Sequence, residues 1–172
     1  MGSSSGTGVR SVPPPTASAI AGWYEGADLA DAFAVTLPGR GPHDLAALAE
    51  RSLRNPAPWF GVAMRLRDAA VRPFGVRTSR QIRDHLRSRD ADRIDFSPVL
   101  SRSQQEIVLG EDDRHLDFRL SLMLTARPDG REDLTATTIV RCHGLLGRGY
   151  LAAIMAGHVL VVRLALRQAS RD

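Results

Sequence analysis

Ten residues of the chain, HLDFRLSLML from His115 to Leu124, alternate apolar and polar almost without a break. In an extended backbone successive side chains point to opposite faces. Leu116, Phe118, Leu120, Leu122 and Leu124 therefore share one face, and His115, Asp117, Arg119, Ser121 and Met123 share the other. A helical period would scatter the five apolar residues around its circumference. The strand stops at Pro128-Asp129-Gly130, where proline presets one turn dihedral and glycine accepts a positive φ. A second strand, Leu134 to His143, follows. With that three-residue loop Arg127 opposes Arg131, so Leu124 pairs with Leu134, Leu120 with Thr138, Phe118 with Val140 and Leu116 with Cys142. The apolar faces coincide, and a slip of one residue would set the leucines against polar groups. The same register brings His115 beside His143 and Asp117 beside Arg141 on the polar face. A turn over Glu111 to Arg114 pairs Leu109 with Leu116, Ile107 with Phe118 and Glu106 with Arg119. The expectation is an antiparallel sheet with one oily face and one face of alternating charges.

The rest of the chain supplies helices for the oily face. From Gly147 to Arg167 the period becomes helical, and Tyr150, Leu151, Ile154, Met155, His158, Val159 and Val162 form a wide apolar stripe. Ala30 to Leu37 reads as a first strand ended by Pro38-Gly39. Asp44 caps a helix running to about Arg54, with Leu45, Leu48 and Leu53 inward. Further helices are expected over Trp59–Val71 and Thr78–Arg89, and short strands over Phe96–Leu100 and Gln104–Leu109. Strands and helices segregated in this way make an α+β fold. Residues 1–18, rich in Gly, Ser and Pro, read as a flexible tail, and residues 19–172 as a single domain, a length that buries a sizeable core.

Composition excludes several chemistries. All 23 basic residues are arginine, so a Schiff-base lysine and a phosphate-loop lysine are both ruled out. Nine arginines against four aspartates lie between Arg65 and Arg93; acids interrupt the run and no aromatic side chain alternates with the arginines, so it reads as a solvated face and not as a specific nucleic-acid site. Cys142 is the one cysteine, which excludes an intrachain disulfide and a multi-cysteine zinc site, and it falls on the oily face, which predicts a buried, unreactive thiol. The N-terminus has no export signal, and the longest apolar stretch, Gly149 to Val162, is too short to span a bilayer; a cytoplasmic location is expected. Gly144 to Gly149 reads as a tight turn into the last helix.

Two polar groupings offer chemistry. Glu111, Asp112, Asp113, His115 and Asp117, with His143 alongside, combine imidazoles and carboxylates, but their spacing matches no strong ligand signature, and neither a metal nor a cofactor is expected. Glu106, Arg119, Asp117 and Arg141 form a cross-strand charge ladder that serves the register. No serine or cysteine sits in a nucleophile elbow or triad pattern, so the reading leans away from an enzyme.

With these elements in place the chain resembles a helix-grip domain of the START-like, Bet v 1-like or SRPBCC superfamily, in which a curved antiparallel sheet wraps a long C-terminal helix and two or three helices follow the first strand. It is most similar to an uncharacterised bacterial family of that superfamily, a domain of unknown function found alone or fused behind NAD-dependent epimerase-like domains. The segments that carry the resemblance are ADAFAVTLP (Ala30–Pro38), MRLRDAAVRPFGV (Met64–Val76), VLGEDDRHLDFRLS (Val108–Ser121) and GRGYLAAIMAGH (Gly147–His158). No strand followed by G-x-G-x-x-G is present in these residues, so they are not expected to include an epimerase half. The resemblance implies a cavity between sheet and last helix for an apolar, lipid-like or polyketide-like ligand. Phe118, Leu120, Leu122, Val140, Tyr150, Ile154, Met155 and His158 are the candidates to line it, and Glu106, His115, Asp117, Arg119, Arg141 and His143 are the polar-face candidates. The partners expected are that ligand and a second copy in a homodimer, with no membrane span. The alternatives are a cyclase-, dehydratase- or hydrolase-type enzyme using His158, Tyr150 or the His115/Asp117/His143 group, and a protein or nucleic-acid interaction module.

Overall fold

The computed structural model describes residues 8–54, 93–94 and 97–171. Among the described residues seven strands form one sheet: β1 (Arg10–Val12), β2 (Leu29–Thr36), β3 (Arg93–Ile94), β4 (Ser97–Arg102), β5 (Glu106–Asp112), β6 (Leu116–Ala126) and β7 (Glu132–Cys142). Their spatial order is β1-β2-β7-β6-β5-β4-β3, and every neighbouring pair is antiparallel. Among the described residues two helices, α1 (Leu45–Arg54) and α2 (Gly144–Ala169), accompany the sheet in an α+β architecture, with a short 3-10 turn at Ala21–Trp23. The helices expected over Trp59–Val71 and Thr78–Arg89, nearly all of the arginine-rich stretch, the matching segment Met64–Val76 and the expected strand residue Phe96 lie outside the described residues.

The β6–β7 hairpin has the register read from its turn. Leu116 opposes Cys142, Phe118 opposes Val140, Leu120 opposes Thr138 and Leu124 opposes Leu134. Gly130 takes φ 80°, its N–H donates to the Arg127 carbonyl at 3.0 Å, and the Arg127 N–H donates to the Arg131 carbonyl at 2.9 Å. The β5–β6 hairpin differs from expectation. Leu109 opposes Leu120, not Leu116; Ile107 opposes Leu122, not Phe118; and Glu106 opposes Met123, not Arg119. The acidic residues read as a loop continue the strand to Asp112, so the turn shortens to Asp113–His115, closed by the Asp113 N–H on the Leu116 carbonyl at 3.0 Å. Gly110 permits this: a Cβ there would lie 2.6 Å from the Phe118 carbonyl oxygen and 2.7 Å from Arg119 Cδ. The displacement is an even number of residues, so apolar still faces apolar.

The main core lies between one sheet face and the two helices. Phe33, Val35, Ile107, Leu109, Leu122, Leu124, Leu134 and Ala136 from the sheet meet Leu45, Leu48 and Ala49 of α1 and Leu166 and Ala169 of α2. Asp44 caps α1 as expected, its Oδ1 accepting the N–H groups of Ala46 and Ala47 at 2.9 and 3.3 Å. The other sheet face is not a solvated array of charges. The segment from Pro15 to Asp28 crosses it, and Ile20 joins Val108 and Ile139 in a second small core flanked by Trp23, Tyr24 and Ala27. Part of the expected flexible tail is thus ordered: Arg10–Val12 pairs with Ala32–Ala34, and Ser18 is buried.

Candidate functional site

The seam between β2 and the first half of α2 holds an open concavity whose lining is mostly apolar. On β2 the residues turned toward the helices are Leu29, Asp31, Phe33 and Val35, as their pairing with Val140, Thr138, Ala136 and Leu134 requires. On α2, Leu151, Met155 and His158 fall on one face at helical spacing. Leu29, Leu151, Ala152 and Met155, with Asp28 and Arg148, line an open hollow of about 300 Å³. One residue beyond Leu29 and its neighbour, and one turn beyond Met155, His158 Nε2 meets Asp31 Oδ2 at 3.0 Å. Both side chains of this pair are largely withdrawn from water, 16% and 19% exposed.

The outer end of the hollow carries a second ion pair. Asp28 Oδ2 accepts the Cys142 N–H at 2.7 Å, and Arg148 Nε donates to Asp28 Oδ1 at 3.0 Å. The Cys142 N–H, and then the Arg148 guanidinium, hold the Asp28 carboxyl below the usual carboxylate range, against the opposing effect of its own burial. Gly144, at φ 81°, turns the chain from β7 into α2, and Gly147 brings the first turn of the helix against the His115 carbonyl. The glycine-rich segment is therefore the turn and close approach that aim Arg148 and Leu151 at β2.

Of the expected cavity residues, Met155 lines the hollow, whereas His158, one helical turn further along α2, is not among its lining residues and pairs with Asp31. Leu122 is in the main core, Leu120 packs against it, and Val140 is buried on the same sheet face. Phe118, Tyr150 and Ile154 are half-buried and do not line the hollow.

The polar-face candidates do not form the expected ladder. Arg119 is buried, pairs with Asp112 at 2.6 Å and lies 4.0 Å from the centre of the Trp23 ring. Arg141 lies on the same ring at 4.6 Å and donates to the carbonyls of Gly22, Trp23 and Glu25. Glu106 accepts from the hydroxyls of Ser18 and Ser121 and from the Ala19 N–H. These three charges fasten the Pro15–Asp28 segment across the sheet. His115 and His143 are adjacent, the His143 N–H donating to the His115 carbonyl at 2.8 Å, but Asp117 meets His143 Nε2 at 3.0 Å, and the carbonyls of the Pro15–Asp28 segment take the Arg141 guanidinium. Among the described residues no three His, Cys, Asp or Glu side chains converge as a metal site. Cys142 is half-buried, not fully buried, and burial pushes its thiol pKa up, Asp28 adding to the effect.

Sequence reasoning passed over Asp28, Asp31, Arg148 and Trp23. Asp31 carried a readable signal: it shares the alternation phase of Phe33 and Val35, so a strand there places a carboxylate on the oily face, where it needs a partner. Trp23 carried none, because the segment around it has no period.

The chain belongs to the family whose model is described as protein of unknown function (DUF2867), which matches residues 23–165. No curated protein and no solved structure matches it. Among the described residues no single helix is long and apolar enough to cross a membrane.

Proposed function

We propose that this DUF2867 chain is a small-molecule-binding domain of helix-grip type, holding an apolar ligand between its sheet and its C-terminal helix. The observation that carries the reading is the hollow of about 300 Å³ between β2 and α2, walled by Leu29, Leu151, Ala152 and Met155. Its volume is at the lower end for small-molecule sites, and its apolar wall with a few placed polar groups is their usual chemistry. The strand order supports the helix-grip assignment: the first long strand, β2, returns beside the last, β7, and α2 packs across both. Native mass spectrometry of the full chain purified from its own host tests the proposal. The expected result is a retained apolar molecule that is lost on denaturation and lost from Ala152→Trp, which fills the hollow from its exposed side. A ligand-free wild-type chain whose Met155 methyl resonance responds to no apolar probe would overturn it.

The His158–Asp31 pair favours a second reading, an enzyme acting in the same hollow with His158 moving a proton under the hold of Asp31. Chemical change of the retained molecule on incubation, lost in His158→Gln, would select that reading over a carrier.

A further inference from the structure

Two side-chain bridges tie α2 to the β2 side of the seam. Arg148 Nε donates to Asp28 Oδ1 at 3.0 Å, and both residues belong to the lining of the hollow, where their charges answer each other. Charge therefore does not discriminate among ligands there, and length is left to do so. One helical turn past Met155, His158 Nε2 meets Asp31 Oδ2 at 3.0 Å; this pair lies outside the lining and crosses the seam beyond it. Farther along α2 the seam is occupied by side chains. The Arg163 guanidinium stands over the Phe33 ring at 5.2 Å, and Leu166 and Ala169 are buried in one core with Phe33 and Val35. A ligand that pushed inward would have to part His158 from Asp31, which are 16% and 19% exposed, and leave each largely buried without its partner. The room between the bridges is short. Asp28 and Asp31 are three positions apart, about 10 Å of extended chain. The hollow of about 300 Å³ equals the share of about ten water molecules in the liquid, hence of about ten non-hydrogen atoms.

We infer that the two bridges are end-stops that set ligand size, so that the hollow takes a compact apolar molecule of about ten non-hydrogen atoms and gives long acyl chains or multi-ring skeletons no further hold. The inference rests on the small-molecule-binding reading above. The full chain is titrated with butanol, hexanol, octanol, decanol and dodecanol while the Met155 methyl resonance is followed. Met123, whose side chain belongs to the opposite sheet face, is the internal control. Affinity is expected to rise about fourfold per methylene as far as octanol, the value of one buried CH2, and to gain less than about twofold in all from octanol to dodecanol. Asp31→Ala/His158→Ala removes the inner stop and is expected to carry the rise on to decanol. Ala152→Leu, at an exposed position of α2, fills part of the hollow and is expected to bring the plateau down to hexanol. A rise sustained at the same slope to dodecanol in the wild-type chain, a plateau unmoved by Ala152→Leu, or one unmoved in the folded double variant would overturn the end-stops while leaving an apolar site. The wild-type plateau and the Ala152→Leu shift decide the matter should the double variant not fold. No response of Met155 to any alcohol would overturn the small-molecule reading itself.

Discussion

Gly147 and Gly157 lie on the same helix, yet adding one methyl group to each has opposite consequences. A Cβ at Gly147 would lie 2.1 Å from the His115 carbonyl oxygen and 3.2 Å from Cys142 Cβ. Real Cβ contacts essentially never fall below 3.0 Å, so backbone must move by about 0.9 Å to admit it. The obstructing carbonyl also accepts the His143 N–H at 2.8 Å, so displacing it loosens the last rung of the β6–β7 hairpin. Overpacking of this kind costs about 1–3 kcal/mol, and a weakened hydrogen bond adds about 0.5–1.5 kcal/mol. Against this stands the helix preference of alanine over glycine, at most about 1 kcal/mol. Gly147→Ala is therefore expected to destabilise by about 0.5–3.5 kcal/mol. Gly157 has nothing within 4 Å of the same added atom, so Gly157→Ala takes the propensity gain alone and stabilises by about 0.5–1 kcal/mol. Urea unfolding followed by far-UV circular dichroism, at unchanged m-value, measures both. If the two variants shift the midpoint equally, the first turn of α2 does not abut the start of β6, and the placement of Arg148 and Leu151 falls with it.

Trp23→Ala removes the ring that Arg119 and Arg141 both cover, and is expected to cost about 2–4 kcal/mol in urea unfolding; a loss under about 0.5 kcal/mol would mean that the Pro15–Asp28 segment does not lie on the sheet. Asp31→Ala and His158→Ala should each destabilise, and the double variant should cost about 1 kcal/mol less than the sum, because either single change strands its partner in a largely buried seam; strict additivity in a double-mutant cycle would refute the pairing. The folded-state pKa of Asp28 is depressed, so its contribution is present above the unfolded carboxylate value of about 3.9 and is lost as pH falls through the lower folded value. The midpoint difference between wild type and Asp28→Asn should accordingly be constant from pH 7 to 5 and close on further acidification; a gap that widens toward acid would reverse the assigned direction.

What could be read from the residues was whatever a local period or a turn encodes. The β6–β7 register follows from Pro128-Asp129-Gly130 and unbroken alternation on both sides, since loop length and pleat leave a single solution. The β5–β6 register was misread because Gly110-Glu111-Asp112 has loop composition, while pairing with β6 keeps it extended. Composition is a weaker constraint than hydrogen bonds to a neighbouring strand. The polar face was misassigned for another reason: charged residues such as Arg119 and Arg141 look solvent-directed in sequence, and only tertiary structure brings Trp23 and a row of carbonyls over them. Of the candidate site, the α2 half was visible as a helical stripe ending in His158, whereas its β2 half required noticing one aspartate in phase with Phe33 and Val35.

The position of β2 in the sheet also sets a timetable. Its hydrogen-bonded neighbour on the inner side is β7, more than ninety residues later, so that Leu29 meets Val140 and Thr36 meets Asp133. On a ribosome, β1, β2 and α1 emerge long before that partner, and contacts of such sequence separation are slow to form. The β6–β7 hairpin, closed by its own three-residue loop, has no such wait. Strand β2 can join β7 in the sheet only once Cys142 has left the exit tunnel, and α2, which follows at once, seals the seam behind it. A nascent chain stalled short of β7 lacks both the strand that pairs with β2 and the α2 residues Leu166 and Ala169 that share the core with Phe33 and Val35.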